Sequence, residues 1–163
     1  MDSTLTHPWF SNPDMAMPGA VRAMRASLKS VEQMLEGDDP PEWVILLERT
    51  GIWCYSRLRV VIHDYATIDS ETSDGPVTWI LREADYRHIT AILKGATPET
   101  IRSVREEVID GDPCELTIIH GRPKWLAYAA VNLCSVTPED EATVVARLAK
   151  HLTKIVDETA NKE

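Results

Sequence analysis

The stretch "LREADYRHITAILKGATPETIRSVREEVIDGDPCELTIIHGRPKWLAYA", residues 81–129, constrains the fold more than any other part of the chain. Asp85 stands where a side chain can cap a helix over Tyr86–Lys94. In that helix Tyr86, Ile89 and Leu93 share one face, and Gly95 supplies a left-handed stop. A second helix start follows at once. Thr97 is a capping residue, Pro98 suits the first helical position, Glu99 complements the positive end of the helix dipole, and Ile101, Val104 and Val108 line an inner face. After Gly111 to Pro113, "CELTII" and "KWLAYAAV" read as two strands joined by the turn "HGRP".

Around this centre the punctuation is regular. Residues 1–18 hold Pro8, Pro13 and Pro18 and read as an irregular arm, with Trp9 and Phe10 pinned to a neighbouring surface. Val21, Met24, Leu28, Val31 and Leu35 recur at spacings of three and four, which predicts an amphipathic helix ending at Gly37. The apolar run "EWVILLERTG" fits helix or strand. In "CYSRLRVVIHDYATI", Leu58, Val61, Ile62 and Tyr65 repeat as i, i+3, i+4, i+7, which predicts a helix, although the β-branched content pulls toward a strand. "DSETSDGP" reads as a polar loop and "VTWIL" as a short strand. At the other end Val144, Leu148, Leu152 and Ile155 form the apolar stripe of a long helix, a type of element that often packs on a second subunit.

Composition narrows the function. A chain of 163 residues with 44% apolar content builds an ordinary core, and no apolar run approaches the roughly 18 residues a membrane span needs. The start lacks a signal sequence, so a cytoplasmic location is expected. The net charge of −9 argues against a protein that coats nucleic acid. That charge sits in the flanks, since acids and bases nearly cancel between Thr78 and Val136. Cys54, Cys114 and Cys134 are odd in number and widely spaced, which fits reduced thiols; a metal cluster of Cys114, His120 and Cys134 has no support from spacing. With no phosphate loop, G-x-S-x-G or H-E-x-x-H, we expect no enzyme, no catalytic residue, no metal and no cofactor. His63 beside Asp64 is expected to be a solvated or capping residue, and His88 and His120 to lie at the surface. Trp43, Trp53, Trp79 and Trp125 adjoin apolar runs and are expected in the core.

From Cys54 to Val131 the order is helix, polar loop, short strand, helix, tight turn, helix and hairpin. It resembles the winged helix-turn-helix domains of bacterial and phage transcription regulators and replication initiators. Lys94 before Gly95 and Thr90 in the second helix depart from the family pattern. The resemblance implies an α+β, mostly helical fold: an arm over 1–18, an N-terminal helical extension over 19–53, a winged-helix domain over 54–136 and a C-terminal helix over 137–163. It makes "TPETIRSVREE" the recognition helix and "HGRPK" the wing. The implied partner is double-stranded DNA, bound in sequence-specific fashion by a homodimer whose contact is formed by the terminal helices. The side chains implied to meet DNA are Thr97, Thr100, Arg102, Ser103 and Arg105 on the helix, with Arg122 and Lys124 on the wing. The alternative is an acidic adaptor of the same fold that binds protein and no DNA.

Overall fold

A computed structural model describes residues 5–12, 18–50, 55–72, 75–101, 113–132 and 142–161. Its centre is one six-stranded antiparallel sheet in the order β4-β3-β2-β1-β5-β6. The strands are β1 Trp43–Thr50, β2 Tyr55–Ile62, β3 Ala66–Thr72, β4 Gly75–Ile80, β5 Pro113–His120 and β6 Trp125–Asn132. The helices are α1 Pro8–Ser11, α2 Pro18–Glu36, α3 Glu83–Leu93 and α4 Val144–Asn161.

Two cores sandwich the sheet. On one face Ile45, Leu47, Leu58, Val60, Ile62, Ile68, Leu116 and Ile118 meet Ile89, Ile92 and Leu93 of α3 and Leu148, Leu152 and Ile155 of α4. On the other, Val44, Leu46 and Ile119 meet Trp9 of α1 and Met24, Leu28 and Val31 of α2. Alternation along β1 produces this division, because successive side chains of a strand point to opposite faces.

A mostly helical fold built on a winged-helix core is therefore corrected. The decisive segment is β2, predicted as a helix. It lies between β1 and β3 in register, with Trp43 opposite Ile62 and Val60 opposite Ile68. Leu58, Val60 and Ile62 point to one face, while Arg57, Arg59 and Val61 point to the other. Val61 is itself buried, so the strand is apolar on both sides at its end and mimics a helical stripe. The polar segment read as a loop holds the end of β3 and the start of β4, and there Asp69 accepts from Arg59 (2.9 Å) and Thr78 (2.7 Å). The open choice at "EWVILLERTG" resolves to a strand.

Other expectations stand. The helix predicted after Pro18 is α2, the strand in "VTWIL" is β4, and the hairpin around "HGRP" is β5–β6. Trp9 is buried, and the arm is fastened by the Leu5 N–H donating to Glu32 (2.5 Å) and by Arg25 lying 4.1 Å over the Phe10 ring. The apolar stripes of α2 and α4 pack on their own sheet, which removes the reason for reading them as dimer contacts. Asp85 does not cap α3, since Arg82 is the N-cap; Asp85 sits in the first turn and accepts from Arg82 (3.0 Å) and contacts His151 (3.1 Å). No described helix is long and apolar enough to cross a membrane.

Candidate functional site

A concavity lies at one end of the sheet, where β1 and β6 begin and β2 and β5 end. Three connections are stitched together there by the backbone. The Glu42 N–H donates to Ile62 O (2.8 Å), the Gly121 N–H donates to Glu42 O (2.9 Å), and the His63 N–H donates to Tyr65 O (2.8 Å). Residues 40–42 thus bridge the β2–β3 and β5–β6 turns. Gly121 makes this possible: a Cβ there would sit 2.3 Å from Pro41 O. Because the obstacle is backbone, relief requires the two connections to separate. Gly121→Ala is expected to cost about 1–3 kcal/mol, as overpacking does, measured by urea unfolding. A variant of undiminished stability would show that the two connections part freely.

Three aromatic rings from three strand ends form the floor. His120 is 4.5 Å from Trp43 (edge contact) and 5.7 Å from Trp125 (stacked), and the two indoles are 5.6 Å apart at 83°. His120 Nδ1 donates to Pro123 O (2.8 Å), which fixes the ring and leaves the lone pair of the neutral form on Nε2. Against this floor α3 places Tyr86, Thr90, Leu93 and Lys94, enclosing a cleft of about 510 Å³ that Glu42 also lines. The Tyr86 hydroxyl donates to His63 O (3.1 Å) and the Thr90 hydroxyl to Tyr86 O (2.9 Å), so both are spent inside the fold. Lys94 forms no ion pair among the described residues. On the far side of His120 and Glu42, a second concavity of about 370 Å³ is lined by Asp39, His63, Asp64, Tyr65 and Arg122.

Only part of the expected DNA-contacting set gathers here. Arg122 lines the smaller concavity beside three carboxylates, and Lys124 lies in the same turn. Thr97 and Thr100 follow α3 and are exposed, but they bind each other. The Thr100 N–H donates to Thr97 Oγ1 (3.3 Å) and the Thr97 N–H to Thr100 Oγ1 (2.8 Å). That exchange closes a turn over Thr97–Thr100, and the helix expected beyond it lies outside the described residues. Arg102, Ser103 and Arg105 lie outside the described residues, as do Cys54, Trp53 and Cys134. Cys114 is buried in β5, and no group of three metal-ligating side chains occurs among the described residues. His63 faces Asp39 (3.7 Å) rather than Asp64. Trp43 is in the core as expected, whereas Trp79 and Trp125 are only partly covered.

A second polar group lies under the arm, on the α2 face. Glu48, buried, is held by Arg57 (2.6 Å) and stands opposite Glu115 in the β1–β5 register. Burial, with help from the Glu48 charge, pushes the Glu115 carboxyl upward against the pull of the Tyr128 hydroxyl, which donates to it at 2.9 Å. Burial and then Glu115 likewise push the Tyr128 phenol upward. His7, buried, accepts the Trp9 N–H at Nδ1 (3.2 Å), so its proton is on Nε2 and donates to Thr117 Oγ1 (2.9 Å). Burial lowers its pKa to about 4. These groups knit the arm to the sheet, whereas the sheet-end cleft is open to a ligand.

Sequence reasoning missed the cleft because its floor comes from residues 43, 120 and 125 and its wall from α3. The available signal was an aromatic residue at the start of each of two predicted apolar runs, which places both at one sheet end once the strands are antiparallel. No family model, curated protein or solved structure matches this chain.

Proposed function

We propose that the protein is a non-catalytic adaptor that captures an extended segment of a partner protein in the sheet-end cleft, inserting an apolar side chain against Trp43, His120 and Trp125. The carrying observation is the cleft itself: a concavity with an aromatic floor, a few polar groups at its rim and dimensions of an ordinary ligand site. Aromatic pockets of this kind concentrate binding energy in protein recognition. Lys94 at the rim adds orientation toward a carboxylate on the segment.

DNA is the less favoured ligand. Arg122, in the β5–β6 turn, shares its concavity with Asp39, Glu42 and Asp64, and the chain carries a net charge of −9, so a phosphate backbone meets repulsion there. The test is selection from a displayed peptide library followed by tryptophan fluorescence titration, with a pool of DNA duplexes in parallel. Trp125→Ala is expected to weaken the selected peptides about 30-fold, the size of a binding hot spot, and Lys94→Ala less. Peptides that bind both variants as well as the native chain, or duplexes that bind more tightly than any peptide, would overturn the proposal.

A further inference from the structure

Strand β4 is an edge of the sheet. Edge strands usually carry a charge or a cover that discourages pairing. This one, Gly75-Pro76-Val77-Thr78-Trp79-Ile80, carries no charge. Ile80 is 67% exposed and Val77 45%, two of the three large hydrophobic residues exposed among those described.

The outward-facing backbone groups of β4 follow from the ladder. The Leu81 N–H donates to Ala66 O (2.8 Å), and the β3–β4 register continues without interruption from Ile80 opposite Thr67 to Gly75 opposite Thr72. Antiparallel alternation then turns the groups of Trp79 and Val77 toward β3 and those of Ile80, Thr78 and Pro76 outward. Proline has no N–H, so the outward donors are those of Thr78 and Ile80, with the carbonyls of Pro76, Thr78 and Ile80 as acceptors.

We propose that β4 pairs antiparallel with β4 of a second copy of this chain, Thr78 opposite Thr78, so that two sheets join into one. The set is self-complementary under a two-fold axis. The two Thr78 residues exchange a pair of hydrogen bonds, and each Ile80 N–H reaches the Pro76 carbonyl of the other copy. Every outward donor is thereby used, and the Ile80 carbonyl is left to water. On one face Ile80 comes to lie across from Pro76. On the other, Val77 crosses Trp79 of the second copy, beside a small concavity of about 170 Å³ where Trp79, Leu81 and Ile155 meet Arg82, Asp85 and Glu158. Both exposed hydrophobic side chains gain a cover. The uncharged strands meet without opposed like charges, and the cations beside them are paired, Arg82 with Asp85 and Glu158 and Arg59 with Asp69. An isologous interface of this type closes after two chains and forms no fibre.

Sedimentation velocity at micromolar concentration tests the proposal on the full chain and two variants. Thr78→Pro removes an outward N–H and leaves the ladder to β3 unaltered, since proline is tolerated on the solvent side of an edge strand. Ile80→Lys places a charge at the seam on a side chain that is already exposed. The native chain is expected to sediment as a dimer, and both variants as monomers with unchanged circular dichroism. If Thr78→Pro does not fold, Ile80→Lys decides alone. A monomeric native chain, or a dimer that survives in a folded variant, overturns the proposal. The outcome is independent of the cleft, whose variants Trp125→Ala and Lys94→Ala are expected to dimerise normally.

Discussion

Arg57→Ala is expected to destabilise the protein by about 3–5 kcal/mol, the usual cost of removing one partner from a buried ion pair. Glu48 is 4% exposed, and its contacts with Arg57 are a pair of hydrogen bonds to one oxygen, from Nη2 at 2.6 Å and Nε at 3.1 Å. Without the guanidinium, a carboxylate is left in the sheet directly opposite the half-buried Glu115, which already resists ionisation. The ion pair itself is not expected to be a net gain over apolar packing. The double variant Glu48→Leu/Arg57→Leu should recover to within about 1 kcal/mol of the native chain, or exceed it, because both desolvation costs vanish together. Urea unfolding of the native chain, both single leucine variants, the double variant and Arg57→Ala separates these terms. An Arg57→Ala loss below about 1 kcal/mol, the level of a surface pair, would mean that water reaches Glu48.

Acid is expected to release the N-terminal arm. The folded-state pKa of His7, about 4, is below its unfolded value of 6.5, so the unfolded chain takes up a proton first as pH falls. The contribution of His7 is complete above pH 6.5 and is lost down to about pH 4, a change of about 3 kcal/mol by linkage. The proton would land on Nδ1, the atom that accepts the Trp9 N–H, and so would break the start of α1. His151 acts in the same direction, lowered by burial and then by His88, whose ring is 4.2 Å away. Glu115 acts in the opposite direction, because its raised carboxyl binds a proton more readily in the folded state. Thermal melts between pH 7 and pH 4 should therefore fall steeply. His7→Asn, which keeps an acceptor for the Trp9 N–H but does not titrate, should flatten the fall. An equal slope in that variant would place the acid sensitivity elsewhere.

The segments that proved legible in the sequence are those with one buried face. Helix α2 shows its stripe through Met24, Leu28 and Val31, and the β5–β6 hairpin is announced by the turn "HGRP". Strand β2 was not legible by the helical template, since Leu58, Val61 and Ile62 satisfy a spacing of three and four only because the strand end is buried on both faces. Its alternation, with Arg57 and Arg59 interleaved with Leu58 and Val60, carried the opposite message. The α4 stripe was correctly placed, but its partner is the sheet of its own chain, and no local pattern distinguishes that sheet from a second subunit. For the site the loss was greater. The expected set rested on a helix after Thr97, and none of that set lines the cleft; Arg122 lies in the neighbouring smaller concavity. Trp43 and Trp125 come together with His120 solely through the pairing of β1 with β5 and β5 with β6.

The central position of β1 has a kinetic consequence. Strands β1 to β4 follow one another in space as in sequence, so that these four strands pair through short connections. The other edge of β1 waits for β5, with Trp43 opposite His120 and Arg49 opposite Cys114. Long-range pairing of this kind folds slowly, on the scale of milliseconds to seconds, because chain entropy is surrendered before contacts are gained. During synthesis the β1 edge, with Ile45 and Leu47 on one side and Glu48 on the other, is open until residue 120 has emerged from the ribosome. A chain interrupted before β5 would present that edge unpaired, and it is there that misfolding of this protein would begin.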